Sequence, residues 1–151
     1  MKACAFFGHR QYGYEGSREI IKNSIVDLIE NYGVTQFYSG GRGTFDNLCS
    51  SIVYELKSKY SALKNTLVLS YLPKKKEEYS LPEKYDDSVY FLEKKVPPRL
   101  AIVKTNEETV NRVQFILSGV VWSHGGAYEA CKYAQRKGKK VIFILQKENK
   151  G

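Results

Sequence analysis

Short unbroken apolar runs alternate along this chain with stretches in which apolar residues recur every three or four positions, a pattern that predicts strands alternating with helices. Residues 2–8 read as a continuous apolar strand, followed by a turn-rich loop over 11–16. The next stretch predicts a helix capped by Ser17, with Ile20, Ile21, Ile25, Leu28, Ile29 and Tyr32 at helical spacing and Gly33 as its stop. A second strand covers 34–38. Thr44 is then the natural cap of a helix whose apolar face is Phe45, Leu48, Ile52, Leu56 and Tyr60. Residues 65–72 predict the third strand. After a break, 99–112 read as a helix, 113–121 as a strand, 127–137 as a helix and 140–145 as the last strand. The helix over 127–137 presents Ala127, Ala130, Cys131 and Ala134 on one face, small enough for close approach to a sheet, and Gly138 ends it. Unbroken apolar strands between helices are the mark of a sheet buried on both faces. The expected fold is therefore α/β, a mainly parallel five-stranded sheet with helices on both faces.

The pattern fails over 73–98, where Pro73, Pro82, Pro97 and Pro98 punctuate charged and tyrosyl residues. We expect a long connection there, carrying one short helix over 82–93, of the length that often forms a lid or binding loop. The whole of 1–151 is expected to be a single domain. Its 42% hydrophobic content is enough for a substantial core.

Composition narrows the class. The apolar run at the start ends in Gly-His-Arg and is too short for a secretory segment or a membrane span, so a cytoplasmic protein with no membrane partner is expected. Cys4, Cys49 and Cys131 are odd in number, widely spaced and set in apolar patterns; they read as buried thiols, and neither a disulfide framework nor a metal site is expected. The net charge of +8 has lysines at 74–76, 94–95, 137 and 139–140. These either attract phosphate-bearing partners or form a solvated face.

Candidate chemistry concentrates in three loops that a parallel sheet would collect at the carboxyl ends of its strands. The first is Gly8-His9-Arg10. The second is Ser39-Gly40-Gly41-Arg42-Gly43-Thr44-Phe45-Asp46, a glycine-rich turn from strand to helix, where backbone N–H groups and the helix dipole favour an anion. The third is Trp122-Ser123-His124-Gly125-Gly126. Together they offer guanidinium groups for phosphate, two imidazoles and an indole for stacking, a combination suited to a nucleotide or nucleotide-derived ligand. Plainer roles stand beside these: the glycines as a tight turn, Trp122 as a cap on the core, and Asp46 as either a helix-dipole partner or an acceptor for a ribose hydroxyl. No G-x-G-x-x-G, Gly-Lys-Ser/Thr or G-x-S-x-G spacing occurs, which argues against a conventional NAD dehydrogenase, a P-loop ATPase or a serine hydrolase of the elbow type.

Phe6-Phe7-Gly8-His9-Arg10, Ser39 to Asp46, Pro98-Arg99-Leu100-Ala101-Ile102 and Gly125-Gly126-Ala127 occur in an order that resembles the SLOG superfamily. More narrowly, they resemble its small bacterial single-domain DprA/Smf-like and YpsA-like members, relatives of the LOG or lysine-decarboxylase-like proteins. The resemblance implies a Rossmann-like three-layer sandwich, a nucleotide pocket at the edge just identified, and homodimers. It also exposes departures. LOG enzymes cleave the N-glycosidic bond of nucleoside monophosphates with an arginine on the helix before the fourth strand and a glutamate after a Pro-Gly-Gly-x-Gly-Thr turn. Thr105 stands where that arginine would be, and Gln114 where an aspartate commonly precedes the strand. Lys104 is displaced from the arginine's position by roughly 100° around the helix. The turn reads Ser-His-Gly-Gly-Ala-Tyr-Glu, in which Glu129 is the one candidate catalytic acid, and Ser51 replaces a glutamate common in YpsA-like relatives.

The leading expectation is thus a sensor or sequestering protein that holds a nucleotide-derived small molecule without turning it over and without a cofactor. Its contacts would be Gly8, His9, Arg10, Gly40, Gly41, Arg42, Gly43, Thr44, Asp46, Trp122, His124, Gly125, Gly126 and Glu129. The alternatives are a LOG-like phosphoribohydrolase using Glu129, and a DprA-like module binding single-stranded DNA.

Overall fold

The computed structural model describes residues 2–73, 79–93 and 96–145. The lysines at 74–76 and 94–95, and those parts of the connection over 73–98, lie outside the described residues. Six strands form one sheet: β1 (Lys2–Gly8), β2 (Val34–Ser39), β3 (Lys64–Val68), β4 (Asp87–Val89), β5 (Phe115–Gly119) and β6 (Lys140–Phe143). Their order across the sheet is β4-β3-β2-β1-β5-β6, and every pairing is parallel. Four α-helices connect them: α1 (Arg18–Tyr32), α2 (Thr44–Leu56), α3 (Pro98–Asn111) and α4 (Gly126–Arg136).

β1 shows why this is a three-layer sandwich. Successive side chains of a strand point to opposite faces, so Cys4 and Phe6 join the core under α1 and α2 while Ala3, Ala5 and Phe7 join the core under α4. The first core is built around Phe37, Phe45, Ile25, Leu28 and Ile52; the second holds Val110, Ile116, Ala130, Cys131 and Ala134, the small face expected of the last helix. All three cysteines are buried and unpaired. Burial pushes the thiols of Cys4, Cys49 and Cys131 up, so they stay neutral.

Several expectations need correcting. The sheet has six strands, not five, because 87–89 form a strand and no helix occupies 82–93. That strand has no apolar run to announce it. It is held by tertiary contacts: the Asp86 N–H donates to the Asn65 carbonyl and the Asn65 N–H to the Asp86 carboxylate, each at 2.8 Å, and Lys57 pairs with Asp86. Ile20 is 49% exposed and does not belong to the core face of α1. Ser17 sits at the cap position of α1 but makes no side-chain capping bond; its N–H donates to the Tyr14 carbonyl in a preceding 3-10 turn. Gly33 closes that helix in the left-handed conformation, at φ 71°, as expected. Thr44 is the first residue of α2 and not its cap, a position taken by Gly43. The third strand ends at Val68, leaving Tyr71 and Leu72 exposed. Among the described residues no helix is long and apolar enough to cross a membrane.

Candidate functional site

The order of strands reverses between β1 and β5, and in open parallel sheets a crevice opens outside the carboxyl ends of the strands at such a point. A cavity of about 450 Å³ lies there, lined by residues of all three predicted loops, among them His9, Arg10, Gly40, Arg42, Asp46 and Trp122. Gly8, Gly125 and Gly126 also line it.

The floor is fixed by one bridging hydroxyl. Tyr14 is buried; its Oη accepts the His9 N–H at 3.0 Å and donates to the Gly119 carbonyl at 2.5 Å, tying the ends of β1 and β5 together. Burial raises the Tyr14 phenol to about 12, so it remains a donor. The chain beyond β1 is then pinned to α2. The Thr44 hydroxyl donates to the Tyr12 carbonyl at 2.7 Å, with the His9 carbonyl at 3.2 Å, and its N–H donates to the Arg10 carbonyl at 2.9 Å. Thr44 therefore braces the first loop and does not line the cavity.

His9 is only 6% exposed. Its Nε2 accepts the Val121 N–H at 2.9 Å, which requires a neutral ring carrying its proton on Nδ1. Burial, and secondarily the neighbouring His124, lower its pKa and favour that neutral form. The ring stacks on Trp122 at 3.8 Å between centroids and 21° between planes, and Trp122 stacks in turn on His124 at 5.5 Å and 16°. The edge of Tyr12 meets Trp122 at 5.7 Å. One wall is thus a stack of rings whose middle member is 38% exposed.

The opposite wall is the loop before α2. Arg42 reaches past Gly40 and its Nη1 donates to Ser70 Oγ at 2.5 Å. Asp46 stands beside it. Burial pushes the Asp46 carboxyl up to about 6, against the pull of the Arg42 guanidinium and backbone N–H and of the Arg10 and Lys84 charges. Arg10 itself is exposed. Gly41 packs on Leu67 and Tyr85, and Gly43 lies against the Arg10 backbone, so both shape the wall from behind without lining the cavity.

His124 stands on the outer side of the ring stack, and Glu129 is exposed on α4; neither lines the cavity. Thr105 is buried beside a small cleft with its hydroxyl unpartnered, and Gln114 accepts the Ala3 N–H at 2.8 Å through Oε1, a bond between strand ends. Lys104 is exposed and pairs with Glu107 at 3.5 Å. Six lining residues escape the sequence reading: Phe6, Phe7, Gln11 and Ala127 adjoin the predicted loops, whereas Ile102 and Asn106 come from α3. The spacing of four between Ile102 and Asn106 puts them on one helix face, and that spacing is the signal that could have found them. Among the described residues no group of three or more His, Cys, Asp or Glu could hold a metal ion.

No protein-family model and no curated protein matches the sequence. Solved structures do match in fold. DNA processing protein A (DprA) from Streptococcus pneumoniae superposes with a TM-score of 0.69 at 12% identity, covering 99% of this chain and 52% of that protein. The chain therefore spans about half the length of that relative. DprA from Helicobacter pylori, whose structure describes a single-stranded DNA binding mode, gives 0.68 at 16% identity over 98% of this chain and 67% of that one. The molybdenum cofactor carrier protein of Chlamydomonas reinhardtii gives 0.55 at 10% identity over 94% and 75%. At this low identity the match is one of fold alone, a Rossmann-like α/β sandwich around a parallel sheet.

Proposed function

We propose that this protein binds a nucleotide or nucleotide-derived small molecule in the crevice between β1 and β5 and holds it without turnover, as a sensor or sequestering protein. The observation that carries this reading is the His9–Trp122 ring stack, backed by His124, which lines a cavity of about 450 Å³ together with Arg42, Asp46 and Arg10. Rings and guanidinium groups on opposing walls suit a base at one side and a charged or hydroxylated remainder at the other. Two of the fold neighbours are themselves binding proteins, one a cofactor carrier and one a single-stranded DNA binder. The absence of turnover is supported by Thr105, a buried hydroxyl at the position of the LOG arginine, and by Glu129, which does not line the cavity. The functional form is a homodimer in the cytoplasm, with residues 1–151 as one domain.

Isothermal titration against nucleoside monophosphates, cyclic dinucleotides and ADP-ribose derivatives tests the reading. At least one is expected to bind more tightly than about 1 mM, which is only ~4 kcal/mol, and the proposal fails if none does. Incubation with AMP is expected to release no free base. Release that Glu129→Gln abolishes would establish the hydrolase instead. The exposed ring of Trp122 and the charge of +8 favour single-stranded DNA as a second reading. It requires binding that strengthens with strand length and weakens steeply with salt.

A further inference from the structure

The glycine loop before α2 is an anion cradle by its sequence, yet the folded chain fills it from within. The Gly41 N–H donates to Ser39 Oγ at 3.2 Å, and the Thr44 N–H is taken by the Arg10 carbonyl. The Arg42 N–H faces the Asp46 carboxylate, whose Oδ2 lies 3.4 Å from where a Gly40 Cβ would sit. Asp46 therefore occupies the place a bound phosphate would claim.

This changes what the wall can recognise. A second anion at the loop meets the Asp46 charge at short range. A cationic group meets Arg42, Arg10 and Lys84, which already surround that carboxylate. The group that satisfies both constraints is neutral and donates hydrogen bonds, and a carboxylate with two oxygens suits a pair of adjacent donors. Resting on the nucleotide reading above, we propose that Asp46 is the specificity-determining residue of the cavity, accepting hydrogen bonds from the 2′ and 3′ hydroxyls of a ribose. The ligand's phosphate then lies away from the Ser39–Thr44 loop, toward exposed Arg10, with its base against the rings of His9 and Trp122.

The test is calorimetric. AMP, GMP, CMP and UMP are titrated beside their 2′,3′-dideoxy analogues into the wild-type protein and Asp46→Asn. The expected result is a preference of about tenfold or more for at least one ribonucleotide over its dideoxy partner, the size expected of hydrogen bonds to a charged group. Asp46→Asn should reduce that preference to near unity while leaving the dideoxy affinity within about threefold. Equal binding of the two forms by the wild type, or tighter ribonucleotide binding by Asp46→Asn, overturns the assignment while leaving the binding function standing. If none of the eight compounds binds, the assignment falls, and the wider panel above decides the nucleotide reading. A second arm needs no variant: acidifying the wild type from pH 7.5 to pH 5 protonates Asp46 and should erode the ribose preference. Both partners of each pair carry the same phosphate, so its own titration cancels in the ratio. The charged and titratable groups facing Asp46 are Arg42, Arg10, Lys84, Cys49, Tyr85 and Tyr14, none of which ordinarily titrates in that range. A preference unchanged across it overturns the assignment.

Discussion

His9 and Asp46 face the same cavity and titrate with opposite consequences for stability. The His9 imidazole is held below the ordinary value of 6.5, first by burial and then by His124, so between its two pKa values the unfolded chain binds more protons than the folded one. Its contribution is complete above about 6.5 and is lost as pH falls. Asp46 is raised from 3.8 to about 6, so the folded chain binds the extra proton and stability rises as pH falls through that interval. The two slopes offset each other in the wild type. Asp46→Asn is expected to make the melting temperature fall more steeply between pH 6.5 and pH 4, and His9→Gln to make it flatter or rising, both read by calorimetry across pH. At pH 7.5 Asp46→Asn should also raise the melting temperature by about 2 °C or more, because an ionised, largely desolvated carboxylate becomes a neutral isostere. A wild-type residue that lowers stability at neutral pH is the signature of one kept for binding.

At the scale of elements, the close approach of β1 to the start of α2 sets the geometry of the site. A Cβ on Gly8 would lie 2.3 Å from Cγ of the fully buried Phe45, so α2 can reach the strand end only over a bare backbone. Gly8→Ala is expected to destabilise by about 1–3 kcal/mol, seen as a lower urea midpoint with an unchanged slope. Adding Phe45→Leu should return part of that loss, because the two changes share one contact. A double variant no better than the sum of the single ones would show that strain lies elsewhere. The same elements explain what could be read from the sequence. Five strands were legible because β1, β2, β3, β5 and β6 carry apolar runs, and Gly33 and Gly138 stop helices through backbone chemistry that needs no neighbours. β4 was not legible: Asp87-Ser88-Val89 has no pattern of its own and becomes a strand only by pairing with the edge of β3. Helix α3 breaks the usual rule, burying Thr105 and Thr109 beside Ala101 and Val110 while exposing Leu100 and Val103. Its cavity-facing Ile102 and Asn106 could not be read from an apolar stripe for that reason.

For the molecule as a whole, the location of the cavity follows from topology more than from any single motif. Parallel strands send their loops to one edge, and the reversal of order between β1 and β5 opens that edge. That much was legible from alternating elements, and it brought the first, second and third loops to one place. The roles inside were not, because they depend on distances across the fold: Thr44 turned from a cap into a brace, Glu129 and His124 fell outside the lining, and the glycine loop proved to hold its own carboxylate. The +8 charge is a property of the whole surface; it raises the encounter rate with any phosphate-bearing partner and says little about which one is kept.

Trp122 is the only tryptophan in the chain, and it is the ring at the centre of the cavity wall. The protein consequently carries its own optical gauge of occupancy. With excitation confined to the indole, nearly all emission comes from one side chain stacked between His9 and His124, and a base drawn against its exposed edge alters that emission. Unlabelled protein titrated with a bound nucleotide should show a saturable change with the calorimetric midpoint, whereas Trp122→Phe should lose the signal and retain binding to within about tenfold, as a replacement of one stacking ring by another. A ligand that binds without changing this emission lies elsewhere on the molecule.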